Sequence, residues 1–274
     1  MISLRKLVGT FVVGTARYVT HGSGNIESAY NIVAAFGFLW GMTMKSVKIL
    51  GIDEVIYAPA KSKLVPIPLL MTTTEIAVKE AFKPKLGDVV VDVGSYIGRY
   101  ALIASKLVGD SGRVIGIEPN PENFAILDYN IRKSHSTNME AFCVAASNHE
   151  GVMKLYLGES GGWTSIFRSG SGGWKAEFHL SDRFIEVPCV PLDNFLKEHE
   201  VEIVDWMKID VEGAEAEVLE GITNILQKSE KLNLIIELHP LTNQEKVSTI
   251  LNSCGYRIQN LSSPSSFYHI LASK

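Results

Sequence analysis

The sequence predicts an α/β fold, doubly wound around a mostly parallel seven-stranded sheet with a final antiparallel strand, plus a small N-terminal cap region. Three observations carry this. From residue 89 onward, short β-branched apolar runs alternate with amphipathic segments of helical length. The connections between them are short and punctuated by Gly, Pro, Asn and Asp. The last two apolar runs are joined only by Ser262-Ser-Pro-Ser-Ser266, too short for a crossover helix, so one of them runs backward. With 274 residues, 46% of them hydrophobic, the chain can bury one full core with a small addition.

Residues 1–70 show no firm strand–helix alternation and read as a partly helical cap or lid ahead of an α/β domain over 71–274. Arg5-Lys6 precedes an apolar run that Arg17 interrupts, without the cleavage context of a signal peptide. Residues 28–44 form a second uncharged stretch, rich in aromatics. It sits at the lower length limit for a membrane span, and Asn31, Gly37 and Gly41 weaken it, so it reads as a buried or interface-lying helix.

Thr72-Thr-Thr-Glu75 is a helix-start signal for a helix over 75–82, which stops at Lys83-Pro84. A strand over 89–93 leads to a helix over 98–108, then a strand over 114–117. The next helix, 121–132, places Pro121 in its first turn, where a missing N–H costs nothing. A strand over 141–146 follows. Strands over 152–157 and 184–190 flank a Gly-rich interruption over 158–173, which with Trp163 and Trp174 reads as a substrate-covering flap. Then come a helix over 192–199, a strand over 204–210, a helix over 214–226, a strand over 232–238 and a helix over 244–254. The closing strands are 256–261 and 267–271.

The net charge is −4, which gives no global field for nucleic acid and leads to the expectation of no nucleic-acid partner. The charge is uneven. Residues 1–70 carry seven basic residues against three acids, a balance of +4 that leaves −8 for the remainder. A basic N-terminal face suits an anionic substrate or peripheral contact with a membrane surface. Cys143, Cys189 and Cys254 are odd in number and far apart, with no CxxC spacing. That argues against a disulfide framework, a zinc site and an iron–sulfur cluster, and places the chain in a reducing, cytoplasmic setting.

The chemistry concentrates in Val89-Val-Val-Asp-Val-Gly-Ser-Tyr-Ile-Gly98 and Ile115-Gly-Ile-Glu-Pro119. A strand ends in an acid and a glycine, a helix follows, and a second strand ends in Glu118. Such a unit holds a nucleoside: glycines let the backbone approach the ligand, and the second acid takes the ribose hydroxyls. A dinucleotide fingerprint needs Gly-x-Gly-x-x-Gly, but Asp92 stands at the first glycine position. An acid there repels a pyrophosphate and suits a cationic ligand such as S-adenosylmethionine. The same pattern argues against a nucleotide-dependent oxidoreductase.

Ligands in open α/β sheets bind beyond the carboxyl ends of the strands. Those ends deliver Asp92, Gly94, Ser95 and Gly98, then Glu118 and Asn120, then Ala145, Ala146 and Ser147, then Lys208, Asp210 and Glu212, then Glu237 and His239. Lys208, Asp210 and Glu212 share one face while the chain stays extended, as do Glu237 and His239. If the two strands are neighbours, Lys208 faces Glu237 as a buried ion pair and Asp210 faces His239. Asp210 and His239, at the tips, suit a general base for a hydroxyl.

Val91-Asp-Val-Gly-Ser-Tyr-Ile-Gly98, Ile117-Glu-Pro-Asn-Pro-Glu-Asn-Phe124, Val190-Pro-Leu-Asp-Asn-Phe195, Met207-Lys-Ile-Asp-Val-Glu-Gly-Ala-Glu215 and Ile235-Ile-Glu-Leu-His-Pro240 together resemble the FkbM family of S-adenosylmethionine-dependent O-methyltransferases. The resemblance covers about residues 71–274. It implies a Rossmann-like methyltransferase fold and methyl transfer to a hydroxyl of a small molecule or glycan. By that resemblance, Asp92, Gly94, Ser95 and Gly98 match the loop that holds the methionine part of the cofactor, with Tyr96 adding bulk beside it. Glu118 matches the ribose acid, with Asn120 next to it. Ala145 and Ala146 lie where adenine stacks. Lys208, Asp210, Glu212 and His239 match the substrate-side strand tips.

Proton removal by Asp210 or His239 is the favoured route. A divalent metal held by Asp210, Glu212 and Glu237 is the less favoured one. A nucleobase amino-methyltransferase would carry Asn/Asp-Pro-Pro-Tyr where this chain has Asp210-Val-Glu-Gly. A non-catalytic S-adenosylmethionine-binding module in a biosynthetic complex is the alternative to an enzyme. The acceptor and the oligomeric state are not written in the pattern.

Overall fold

A computed structural model describes residues 43–49, 54–59, 73–158, 164–165, 180–261 and 268–274. In chain order the elements are β1 (Met44–Lys48), β2 (Val55–Pro59), α1 (Thr73–Ala81), β3 (Val89–Val93), α2 (Arg99–Val108), β4 (Arg113–Ile117), α3 (Pro121–Ser134) and β5 (Met139–Phe142). Next come β6 (Ala145–Ala146), β7 (Gly151–Gly158), β8 (Thr164–Ser165), β9 (Leu180–Val190), α4 (Leu192–Glu198), β10 (Trp206–Ile209), α5 (Glu215–Glu220) and α6 (Thr223–Lys228). The chain closes with β11 (Asn233–Leu238), α7 (Gln244–Ser253), β12 (Arg257–Asn260) and β13 (Tyr268–Ser273).

Seven strands form the central sheet in the order β12-β13-β11-β10-β3-β4-β5. All are parallel except β13, which inserts antiparallel between β11 and β12. The sheet is the doubly wound one the alternation predicts. Its strands are apolar on both faces because both faces are covered. Val91, Val93, Met207 and Ile209 point into one core with α4, α5, α6 and α7. Val90, Val114, Trp206 and Ile235 point into the other with α1, α2 and α3. Period-2 alternation therefore puts Asp92 and Lys208 on the second face, opposite each other in register.

Two predicted elements break where the chain leaves the sheet. The strand over 141–146 splits, with β5 staying in the central sheet while Ala145 and Ala146 pair with Cys189 and Val190 of β9 in a four-stranded sheet of order β6-β9-β7-β8. The helix over 214–226 splits at Gly221. A Cβ there would lie 2.0 Å from the Ser147 carbonyl oxygen, so this turn accepts only a bare backbone. The second half starts afresh as α6, and Asp193 caps it from outside by accepting the N–H groups of Asn224 and Ile225 at 2.7 and 2.9 Å.

Part of the N-terminal region is an antiparallel pair, β1 with β2. It docks through Asn130 on α3, whose Oδ1 accepts the Tyr57 N–H at 2.7 Å while Nδ2 donates to the Tyr57 and Ile97 carbonyls. Of the expected 28–44 helix, residues 28–42 lie outside the described residues, as do the rest of the cap, most of the Gly-rich flap and the 262–266 turn, while Met44, its last residue, begins strand β1 instead of ending a helix. No described helix is long and apolar enough to cross a membrane. Cys143 and Cys189 are buried and Cys254 half-buried, all as free thiols.

Substituting Gly221→Ala forces its methyl against the Ser147 carbonyl. Urea unfolding should show a loss of about 1–3 kcal/mol. An unchanged midpoint would mean that the contact is not tight.

Candidate functional site

β3 and β10 are parallel neighbours that end at the same level, Val93 opposite Ile209. Gly94 follows β3 with φ +81°, and a Cβ on it would lie 1.8 Å from the Asp210 carbonyl oxygen. The glycine is needed twice, for its left-handed backbone and for this approach. The Gly94 and Ser95 N–H groups both donate to the Ile117 carbonyl, and the Ser95 hydroxyl donates to the Asp92 carbonyl at 2.7 Å. The loop is thus tied to β4 and back to the strand it leaves.

Glu118, at the end of β4, is 4% exposed. Its Oε2 accepts the Tyr96 N–H at 2.8 Å, and Oε1 accepts the Asn120 N–H at 2.9 Å and the Asn123 amide at 3.3 Å. Tyr96 holds a left-handed conformation, φ 53°, that turns its N–H toward the acid. Burial pushes the Glu118 carboxyl up to about 7, although the three donors oppose the shift. Asp92 is also buried, and its Oδ2 has no hydrogen-bond partner. Burial raises its carboxyl to about 6 against the pull of Lys208. Asn120 caps α3 by accepting the Glu122 N–H.

On the far side of Gly94, β10 and β11 present the second cluster. Lys208 is 3% exposed and donates to Asp210 Oδ2 at 2.7 Å, with its ammonium 4.8 Å from the Tyr100 ring centre. The predicted Lys208–Glu237 pair does not form. Lys208 registers with Ile235, and Asp210 stands two residues ahead on the same strand and face. Glu237 faces His269 Nε2 at 3.1 Å and His239 Nε2 at 3.8 Å. The predicted approach of Asp210 to His239 does occur, Oδ1 to Nε2 at 3.7 Å, with Glu212 Oε2 at 3.3 Å from the same nitrogen.

Glu215 and Thr242 are the residues that sequence reasoning missed as part of the site. His239 Nδ1 donates to Glu215 Oε1 at 2.9 Å, and the Gly213 N–H donates to the same oxygen. The Thr242 hydroxyl donates to Glu215 Oε2 and accepts the His239 N–H. Glu215 is fully buried at the start of α5. In sequence it looks like an ordinary acid in the first turn of a helix, and only its place in the acid run after β10 marks it.

Burial tends to raise the Asp210 carboxyl, but Lys208 and then His239 hold it low and ionised. Glu212 is pushed up, by burial first and then by Asp210, Glu237 and Glu215, against the opposing pull of His239. Burial lowers His239, yet Glu212 and Glu215 raise it well above its ordinary value. Among the described residues this centre holds more carboxylates than cations. Of the predicted residues, the structure brings Asp92, Gly94 and Ser95 beside Lys208, Asp210, Glu212 and His239 at the ends of β3, β10 and β11. Ala145 and Ala146 lie in β6, off the central sheet. Asp210, Glu212 and His239 place three ligand atoms within 4.8 Å of one another.

Residues 92–258 match the Methyltransferase FkbM domain. The hexuronic acid methyltransferase AglP of Haloferax volcanii is 28% identical over 165 residues, 60% of this chain and 62% of that protein. The match therefore spans less than two thirds of that relative. Among solved structures, precorrin-6y C5,15-methyltransferase of Geobacter metallireducens is 16% identical, with TM-score 0.48 over 83% of this chain and 100% of the other. The 16S rRNA N2 G1207 methyltransferase of T. thermophilus is 14% identical, with TM-score 0.48 over 85% of this chain and 50% of the other. The last similarity corrects the expectation of no nucleic-acid partner. An rRNA methyltransferase stands among the similar structures, and the net charge of a whole chain does not report the local charge of any one surface.

The raised Glu118 carboxyl makes stability depend on pH. Its contribution is full below about pH 4.5 and is lost as pH rises through about 7. From pH 5 to pH 8 the wild type should lose about 3 kcal/mol relative to Glu118→Gln. Denaturant unfolding at the two pH values measures this, and equal slopes for both proteins would rule it out.

Proposed function

The chain belongs to the methyltransferase FkbM domain family, and from that premise we propose that it transfers a methyl group from S-adenosylmethionine to a hydroxyl of a small molecule or glycan. The observation that carries the reading is the contact of Gly94 with the Asp210 carbonyl, which makes the glycine loop and the acid–histidine centre one crevice.

The loop residues fit the cofactor. The buried, partnerless Asp92 Oδ2 is an acceptor for a cationic group, and a Cβ at Gly94 would close the approach. Gly98 ends the loop and Ser95 braces it. Glu118, held in orientation by Tyr96 and Asn120, accepts the ribose hydroxyls. Ala145 and Ala146 lie toward the adenine. When bound, S-adenosylmethionine supplies an activated methyl carbon whose C–S bonding electrons leave on sulfur.

The chain's own task is to align an acceptor oxygen at near-attack distance, ~3–3.5 Å, and to draw off its proton. Asp210, Glu212 and His239 form the acceptor side, and Asp210, kept ionised by Lys208, is the one in the form that takes the proton. Residues 71–274 form the transfer domain, and the described part of the N-terminal region, β1 and β2, rests on α3. Because a relative is a hexuronic acid methyltransferase, glycans bearing hexuronic acid are the first acceptors to try.

Isothermal titration should give micromolar S-adenosylmethionine binding, with NAD as the silent control. Glu118→Ala should weaken it tenfold or more, ~1.4 kcal/mol. With radiolabelled methyl donor, Asp210→Asn combined with His239→Ala should keep binding and abolish transfer to the glycan. Binding without transfer to any hydroxyl acceptor would favour a non-catalytic cofactor-binding module. NAD binding in its place would overturn the class.

A further inference from the structure

We propose that Asp210, Glu212 and His239 bind one divalent first-row metal cation in the crevice beside the glycine loop. Sequence alone favoured a metal-free centre, and the geometry reverses that preference. Donor atoms ~2.0–2.2 Å from a shared cation lie ~3–4 Å apart. His239 Nε2 stands 3.7 Å from Asp210 Oδ1 and 3.3 Å from Glu212 Oε2, so both separations already suit a common ion. Glu237 Oε1, 3.8 Å from the same nitrogen, is a further oxygen on the rim.

The imidazole is built as a ligand. Its side chain is 4% exposed, and Nδ1 is held by the fully buried Glu215. Glu215 is itself fixed by the Gly213 N–H and the Thr242 hydroxyl. A carboxylate behind a histidine sets the tautomer and ring orientation of metal-bound imidazoles. Here it turns Nε2 toward Asp210 and Glu212. Lys208 engages Oδ2 of Asp210, leaving Oδ1 on the histidine side. The Asp210 and Glu212 side chains are 27% and 24% exposed, so an ion can enter and keep open positions for water or an acceptor.

Two carboxylates and one imidazole form a donor set of mixed hardness, which suits Mn²⁺ or Zn²⁺ better than the all-oxygen preference of Mg²⁺. Such a cation lowers the pKa of a coordinated hydroxyl. Asp210, Glu212 and His239 then act as ligands, and an anionic acceptor becomes compatible with an acidic crevice. That last role rests on the methyl-transfer reading; cation binding itself does not.

The test uses tag-free full-length chain, stripped with chelator and titrated with Mn²⁺, free Mn²⁺ being read by electron paramagnetic resonance. One Mn²⁺ per chain is expected, displaced by Zn²⁺. Glu212→Gln, at the solvent-facing rim, should weaken binding tenfold or more with unchanged circular dichroism. Glu215→Gln leaves all three ligands in place and should weaken it by roughly 10–100-fold. Absence of Mn²⁺ and Zn²⁺ binding, or wild-type affinity in Glu212→Gln, overturns the site. Titration of S-adenosylmethionine into the same preparations separates the two readings. Cofactor binding by a chain that takes no cation overturns the metal site alone, and cation binding without cofactor binding overturns methyl transfer alone.

Discussion

The close approach of Gly94 to the Asp210 carbonyl is the constraint on which the rest of the structure depends. It requires β3 and β10 to be parallel neighbours that end at the same level, as the pairing of Val93 with Ile209 provides. It also requires a residue without a side chain at the turn. From this seam the sheet grows outward in two directions, through β4 and β5 on one side and β11, β13 and β12 on the other. Loops on either side of such a reversal diverge and leave a crevice, where ligands of open α/β sheets bind. Asp92 and Glu118 stand on one bank of this seam, and Asp210, Glu212 and His239 on the other.

Charge at that seam is arranged at a cost. Asp92, Glu118, Lys208 and Glu215 are all nearly or fully buried, and buried charge is unfavourable unless paired. The structure offsets the cost unevenly. Glu118 has three N–H donors and Lys208 has a carboxylate and an aromatic face, yet Asp92 keeps one oxygen without a partner. Among the described residues around His239 the carboxylates outnumber the cations, which pushes Glu212 and His239 toward their protonated forms. A core selected for stability alone would not retain this imbalance. A crevice that receives a cationic ligand has a physical reason to.

The elements away from the seam serve to hold it in position. Asp193 caps α6 and Asn130 fastens β2 to α3 and to the loop after Ile97. Gly221 lets the α5–α6 bend press against Ser147, the residue that follows β6. Each is a polar or steric contact between segments distant in sequence.

Much of this was legible in the sequence. Val89 to Val93 could only be a strand covered on both faces, because β-branched residues run without polar alternation. Asp92 at the first glycine position set the charge sought in the ligand, and the short Ser-rich turn before Tyr268 required a reversed final strand. Local periodicity and turn chemistry decide such features. The sequence did not determine which partner a charged residue would choose. Lys208 took Asp210 over Glu237, and Glu215 became the buried anchor of His239, because register and helix placement set those distances. Nor did it determine where a strand or helix would break, since Gly221 bends only in response to a carbonyl seventy-four residues away in the chain. Pattern along the chain names the elements and their faces. Pairing across the sheet decides which side chains meet.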